Sequence, residues 1–142
     1  MSNRILLILV GLPRSGKSTW AREQAGAAIV NPDAIRLSLH GQPFFAFAEP
    51  FVWAIAYLMV KALFFAGHET VIIDATNVTM KRRDEWLTRF SDIAEVQTKV
   101  FDTSPEVCKE RAGLTDQLYL IPIIERMAKE WDLPKPASWG EK

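Results

Sequence analysis

The run Gly11-Leu12-Pro13-Arg14-Ser15-Gly16-Lys17-Ser18-Thr19 carries the spacing Gly-x-x-x-x-Gly-Lys-[Ser/Thr] directly after the apolar hexapeptide 5–10. Those residue types suit the capture of a phosphate chain. The glycines let a loop curl until successive backbone N–H groups converge on an anion, and the following helix adds its own free N–H groups. Lys17 is placed to reach the β- and γ-phosphates of a nucleoside triphosphate, and the Ser18 hydroxyl to complete a magnesium shell that the phosphates begin. Gly11 to Thr19 as a whole is therefore the expected nucleotide-binding segment, with ATP and Mg2+ as its ligands.

Three acids follow apolar runs further along the chain. Asp33 lies in Asn31-Pro32-Asp33-Ala34-Ile35-Arg36, three residues from Arg36 and so on the same side of a helix starting there. An aspartate can accept the proton of an acceptor hydroxyl while an arginine holds a neighbouring phosphate or carboxylate. The plainer alternative makes Asp33 a helix cap and Arg36 a solvated surface residue. Asp74 ends the run Val71-Ile72-Ile73, where an acid orients a magnesium shell opposite the loop serine, so Ser18 and Asp74 are the expected metal-side residues; capping a turn is its alternative. Thr76 and Asn77 could bind a phosphate oxygen or tie down their loop, and Asp102 reads as a turn residue.

These residues need elements to bring them together. Ile5 to Val10 reads as a buried parallel strand, Ser18 to Gln24 as the helix leaving the loop, and Ala28 to Val30 as a short second strand. A helix from near Ala34 fades by Gly41, an apolar helix spans Phe51 to Phe65 and stops at Gly67, and Glu69 to Asp74 is the third strand. A charged helix from Lys81 to Phe90 precedes a strand over Val96 to Phe101. Ser104 and Pro105 then open a helix over Glu106 to Arg111, and a last helix covers Ile121 to Trp131. This alternation predicts an α/β fold, a mostly parallel sheet with helices on both faces, in which ligands gather at the carboxyl ends of strands. The loop, Asp33, Asp74 and Asp102 each follow a strand and so face one crevice.

The 142 residues suit a single domain spanning 1–142. Seventeen basic and seventeen acidic side chains cancel, which argues against gripping a long nucleic-acid tract and leaves a nucleic-acid end or a small hydroxyl compound as acceptor. The two histidines, His40 and His68, with the lone Cys108 build no soft-metal cluster, so magnesium is the metal expected. One cysteine and a start that runs directly into the loop predict a reducing, cytoplasmic setting. The apolar stretch 44–66 is interrupted by Glu49, Pro50 and Lys61, so no membrane span is expected. Its helix is expected to be covered on most of its circumference, by the rest of the domain or by a second copy in a homodimer.

Taken in order, GLPRSGKSTW at 11–20, NPDAIR at 31–36, LHG at 39–41, VIIDATN at 71–77 with Lys81-Arg82-Arg83 and Trp86, and VFD at 100–102 resemble the phage-type polynucleotide 5′-hydroxyl kinase domain and related P-loop (AAA_33-like) kinases. The resemblance covers roughly residues 4–131 and implies a P-loop NTPase/kinase fold. It implies that Asp33 is the general base for the 5′-hydroxyl, that Arg36 contacts the acceptor's phosphate, and that Lys17 and Ser18 serve ATP and magnesium. It also implies a lid, here about 104–125, opening at Cys108-Lys109-Glu110-Arg111 and closing at Ile121-Pro122. Between them 112–120 carries no basic residue, which leaves Arg111 as the charge expected over the transferred group, a plain surface arginine being its alternative. Phe44, Phe45, Phe47, Phe51, Trp53 and Tyr57 follow the Asp33–Arg36 region; they could stack on a nucleobase, while core packing is the plainer expectation. The expected activity is ATP-dependent transfer of the γ-phosphoryl group to a 5′-hydroxyl. A small-molecule or nucleoside kinase, and a nucleotide-binding protein with little catalysis, stand as alternatives.

Overall fold

Six consecutive apolar residues, Ile5 to Val10, suit a strand buried on both faces, and that strand lies inside the sheet, paired on both edges. The computed structural model describes residues 3–42 and 44–139. In chain order the elements are β1 (Ile5–Val10), α1 (Lys17–Arg22), β2 (Ala28–Val30), α2 (Pro32–His40), α3 (Glu49–Phe65), β3 (Thr70–Ile73), α4 (Met80–Phe90), β4 (Glu95–Val100), α5 (Pro105–Leu114) and α6 (Leu120–Glu130). Short 3-10 turns lie at Ala46–Ala48 and Ala137–Trp139. The four strands are parallel in the order β2-β3-β1-β4, with Ile5 opposite Thr70 and Glu95. Every carboxyl end therefore opens on one side of the sheet, as the alternation of elements predicts.

Strand alternation sorts the core into two layers. Leu6, Ile8, Val10, Val30, Val71 and Ile73 face the layer that holds Val52, Ala56, Val60 and Phe64 of α3 and Trp86 and Phe90 of α4. On the other face Leu7, Leu9, Ile29 and Ile72 meet Trp20 and Ala21 of α1, with Phe101 edge-on to Trp20. Elements begin where their caps put them. The Asn31 side chain accepts from the N–H groups of Asp33 and Ala34, so α2 starts at Pro32, earlier than expected, and the cap is Asn31 rather than Asp33. Ser104 caps α5 as expected, through Val107 N–H. The lid-like stretch is a packed helix pair, α5 against α6, fastened by Lys109–Glu125 at 3.5 Å.

One expectation fails within the single chain. Helix α3 buries only the stripe Val52, Ala56, Val60 and Phe64, while Phe51, Leu58 and Phe65 are exposed, so the domain itself does not cover most of its circumference. The helical segment Ala46–Phe65 is long and apolar enough to cross a membrane by length and composition. The buried stripe lies on the sheet, and the acid that interrupts the segment, Glu49, is engaged in an ion pair with α2.

Candidate active site

The phosphate loop is held by its own backbone and by its neighbours. Gly11 N–H donates to Thr76 O at 3.0 Å and Ser15 N–H to Leu12 O at 3.1 Å, while Thr103 Oγ1 donates to Ser15 O at 2.9 Å from the start of α5. Gly11 is required by crowding: a Cβ there would lie 2.6 Å from Ser15 Oγ and 3.0 Å from Phe101 Cβ. Gly16 is required by conformation, with φ at 101°, a region closed to most side chains. Arg14 occupies the same left-handed region at φ 67° although it carries a side chain.

Inside this curl Lys17 is buried, its Nζ donating to Leu12 O at 2.8 Å and Ser15 Oγ at 3.3 Å. Burial pushes its ammonium group down to about 8, opposed by the charges of Asp74, Cys108 and Asp33 in that order. Asp33 and Asp74 stand just past the paired ends of β2 and β3, Val30 opposite Ile73, on the side of the parallel sheet where the loop leaves β1. Ser18 Oγ donates to Asp74 Oδ2 at 2.7 Å, and Asn31 Nδ2 donates to the same oxygen at 3.2 Å. A hydroxyl beside a nearly buried carboxylate is an oxygen-only donor pair that fits a hard cation such as Mg2+ arriving with nucleotide phosphates. No group of three or more His, Cys, Asp or Glu side chains among the described residues could hold a metal without those phosphates.

On the acceptor side Asp33 is exposed, and Arg36 Nη1 donates to its Oδ1 at 2.7 Å. Arg36 itself is only 14% exposed, because Glu49 at the start of α3 clamps it with Nε to Oε2 at 2.9 Å and Nη2 to Oε1 at 2.7 Å. Burial alone would lower the guanidinium, but the bonds to Glu49 and the charge of Asp33 hold it above its ordinary value. The plainer readings of this pair do not hold: Asn31 is the cap, and Arg36 is not a solvated surface residue. Trp53 presents its ring 5.8 Å from the Arg36 guanidinium and 3.6 Å from that of Arg82.

The remaining expectations divide. Arg111 reaches the loop, its Nη1 donating to Arg14 O at 3.1 Å. Asn77 is structural: buried at φ 46°, it donates from Nδ2 to Leu9 O at 2.8 Å and accepts from Trp86 Nε1 at 3.1 Å, tying β1 to α4. Asp102 lends its backbone carbonyl to Ser138 Oγ and Trp139 Nε1. Core packing was the plainer expectation for the aromatics after α2, yet Phe44, Phe45, Phe47 and Phe51 are exposed and only Trp53 and Tyr57 pack on the core. Sequence reasoning missed Glu49 as the clamp on Arg36. Its signal was that it is the only acid within 34–68, a stretch otherwise rich in apolar residues.

The family model that matches this chain is described as an AAA domain and covers residues 6–113. Among solved structures, a chain of the Pnkp1/Rnl/Hen1 complex is 34% identical with a TM-score of 0.70, over 78% of this chain and 40% of that one. A chain of the Pnkp1/Rnl/Hen1 RNA repair complex is 26% identical with a TM-score of 0.68, over 100% of this chain and 51% of that one. The present chain thus spans about half or less of those two. A gluconokinase from Sinorhizobium meliloti 1021 shares the fold at 17% identity and a TM-score of 0.65, over 94% of this chain and 78% of that one.

Proposed function

The chain belongs to the AAA_33 family of P-loop kinase domains, and from that premise we propose that it transfers the γ-phosphoryl group of ATP to a hydroxyl, the 5′-hydroxyl of a polynucleotide end being the acceptor. The observation that carries this reading is the line Glu49–Arg36–Asp33, which holds an exposed carboxylate just past β2, on the side of the sheet where the phosphate loop leaves β1. Likeness to chains of an RNA repair complex favours a nucleic-acid end over a metabolite.

In the proposed step the acceptor oxygen forms a bond to Pγ as the bond from Pγ to the β,γ-bridging oxygen breaks, and ADP leaves with that electron pair. The hydroxyl proton passes to the Asp33 carboxylate. Arg36 keeps Asp33 turned toward the crevice and offers its remaining N–H hydrogens to the acceptor's nearest phosphate. Lys17 exchanges its contacts with Leu12 and Ser15 for phosphate oxygens, and Arg111 lies over the same loop. Magnesium, held by Ser18 and by Asp74 directly or through water, supplies neutralising charge to the phosphates when bound.

A small hydroxyl acceptor is the second reading, favoured by the cancelled net charge. Radiolabelled ATP with Mg2+ offered to a 5′-hydroxyl oligonucleotide, mononucleotides and a panel of small alcohols separates the readings. Label on the oligonucleotide 5′ end supports the proposal. Label confined to a small acceptor overturns the polynucleotide assignment, and no label despite ATP binding makes the domain a nucleotide-binding module.

A further inference from the structure

Transfer of a phosphoryl group concentrates charge on three oxygens, and arginines aimed at them are a large part of catalysis in this chemistry. Between α5 and α6 the residues 112–120 contain no arginine or lysine. Four of the other eight arginines are held in ion pairs: Arg36 to Glu49 and Asp33, Arg82 to Glu85, Arg83 to Asp132 and Arg126 to Glu130.

Arg14 differs from all of these. It is exposed at the fourth position of the phosphate loop, and among the described residues its guanidinium has no hydrogen-bond or ion-pair partner. Its φ of 67° is one that a side chain makes unfavourable and a glycine would adopt freely. The backbone around it is pinned from α5 at two successive carbonyls, Arg14 O by Arg111 Nη1 at 3.1 Å and Ser15 O by Thr103 Oγ1 at 2.9 Å. The backbone that carries the Arg14 side chain is therefore fixed by its neighbours. The buried Cys108 thiol is a neighbour common to the local cations. Burial pushes it up, and the fields of Lys17, Arg111 and Arg14 oppose that shift.

We propose that Arg14 is a catalytic residue of the transfer site: with Arg111, which is anchored on its carbonyl, it supplies from the phosphate loop the positive charge that 112–120 does not. This rests on the kinase reading. As the bond from the acceptor oxygen to Pγ forms, the bond to the β,γ-bridging oxygen breaks with its electrons leaving on ADP, and the hydroxyl proton goes to Asp33. Arg14 and Arg111 then face the γ-oxygens from the solvent side while Lys17 faces the phosphates from within. Both guanidiniums act on oxygens that ADP lacks and that the fluoride complex mimics in their transfer geometry, so they tighten binding of the transition-state mimic more than binding of ADP.

The left-handed φ makes the test clean, because Arg14→Gly removes the guanidinium from a backbone conformation that glycine prefers. The measurement compares the affinity for Mg2+-ADP with that for Mg2+-ADP plus aluminium fluoride, in the unaltered protein, Arg14→Gly and Arg14→Lys, alongside Tm. The expected result is that Arg14→Gly keeps its ADP affinity and an equal or higher Tm but loses about 10²-fold of the preference for the fluoride complex, with partial recovery in Arg14→Lys. A preference retained in Arg14→Gly overturns this inference alone. So does a loss of ADP affinity or Tm in that variant, which would assign Arg14 to loop structure. An unaltered protein that shows no preference for the fluoride complex overturns the kinase reading and this inference with it.

Discussion

Lys17 is a cation enclosed before its anion arrives, and its chemistry follows from that. Burial brings its ammonium to about 8, whereas nucleotide phosphates would hold it protonated. Nucleotide binding above about pH 8 is therefore predicted to take up a proton and to weaken as pH rises, measurable by calorimetry of ADP binding in buffers of different ionisation enthalpy; pH-independent affinity between 7 and 9.5 would contradict it. The sign for folding is opposite. The unfolded chain keeps this proton up to the ordinary 10.5, so between about 8 and 10.5 the unfolded state binds more protons and Lys17's contribution to stability rises with pH. Gly11→Ala is predicted to cut nucleotide affinity without unfolding the chain, since Ser15 Oγ, 2.6 Å from the new Cβ, must leave its place beside Lys17. At this scale the sequence is most legible where spacing sets neighbours: Asp33 bonds with Arg36, Ser18 bonds with Asp74, and all lie past the ends of parallel strands. Glu49 was not legible, because it lies 13 residues from Arg36 and only the packing of α2 on α3 brings them together.

At the scale of elements, the site depends on how helices are fastened to strand ends. The start of α3 holds Arg36, and Glu49→Ala is expected to free it, lowering transfer and raising the acceptor KM while leaving ADP affinity unchanged; steady-state kinetics with ADP titration checks the split. The turn from β3 to α4 depends on Asn77, whose two side-chain bonds and left-handed backbone are satisfied together. Asn77→Ala would leave Leu9 O and Trp86 Nε1 without partners inside the core and put at φ 46° a residue less tolerant of that region than Asn, and a loss of about 2–4 kcal/mol is expected in urea unfolding. Strand and helix types were legible from apolar runs and from Gly and Pro punctuation. The role of Asn77 was not, since a phosphate ligand and a buried tie call for the same polar residue after a strand.

At the scale of the whole molecule, the parallel order β2-β3-β1-β4 gathers four loops on one side, as the alternation of elements requires. What the sequence could not give is which side of an apolar helix the domain covers. Two adjacent phenylalanines show the difference: Phe64 is 1% exposed and Phe65 is 75% exposed. Phe64→Ala is predicted to cost about 3–5 kcal/mol, and Phe65→Ala to stay within about 0.5 kcal/mol. A loss at Phe65 that grows with protein concentration would instead reveal a second copy on this face. The central claim is that Asp33 serves an acceptor hydroxyl beside a working phosphate loop, and its most direct test is transfer of labelled γ-phosphate to a 5′-hydroxyl oligonucleotide by the unaltered chain and by Asp33→Ala, with ATP affinity measured in parallel. Transfer is expected to disappear in Asp33→Ala while ATP affinity is kept; transfer that survives the substitution would rule out Asp33 as the base.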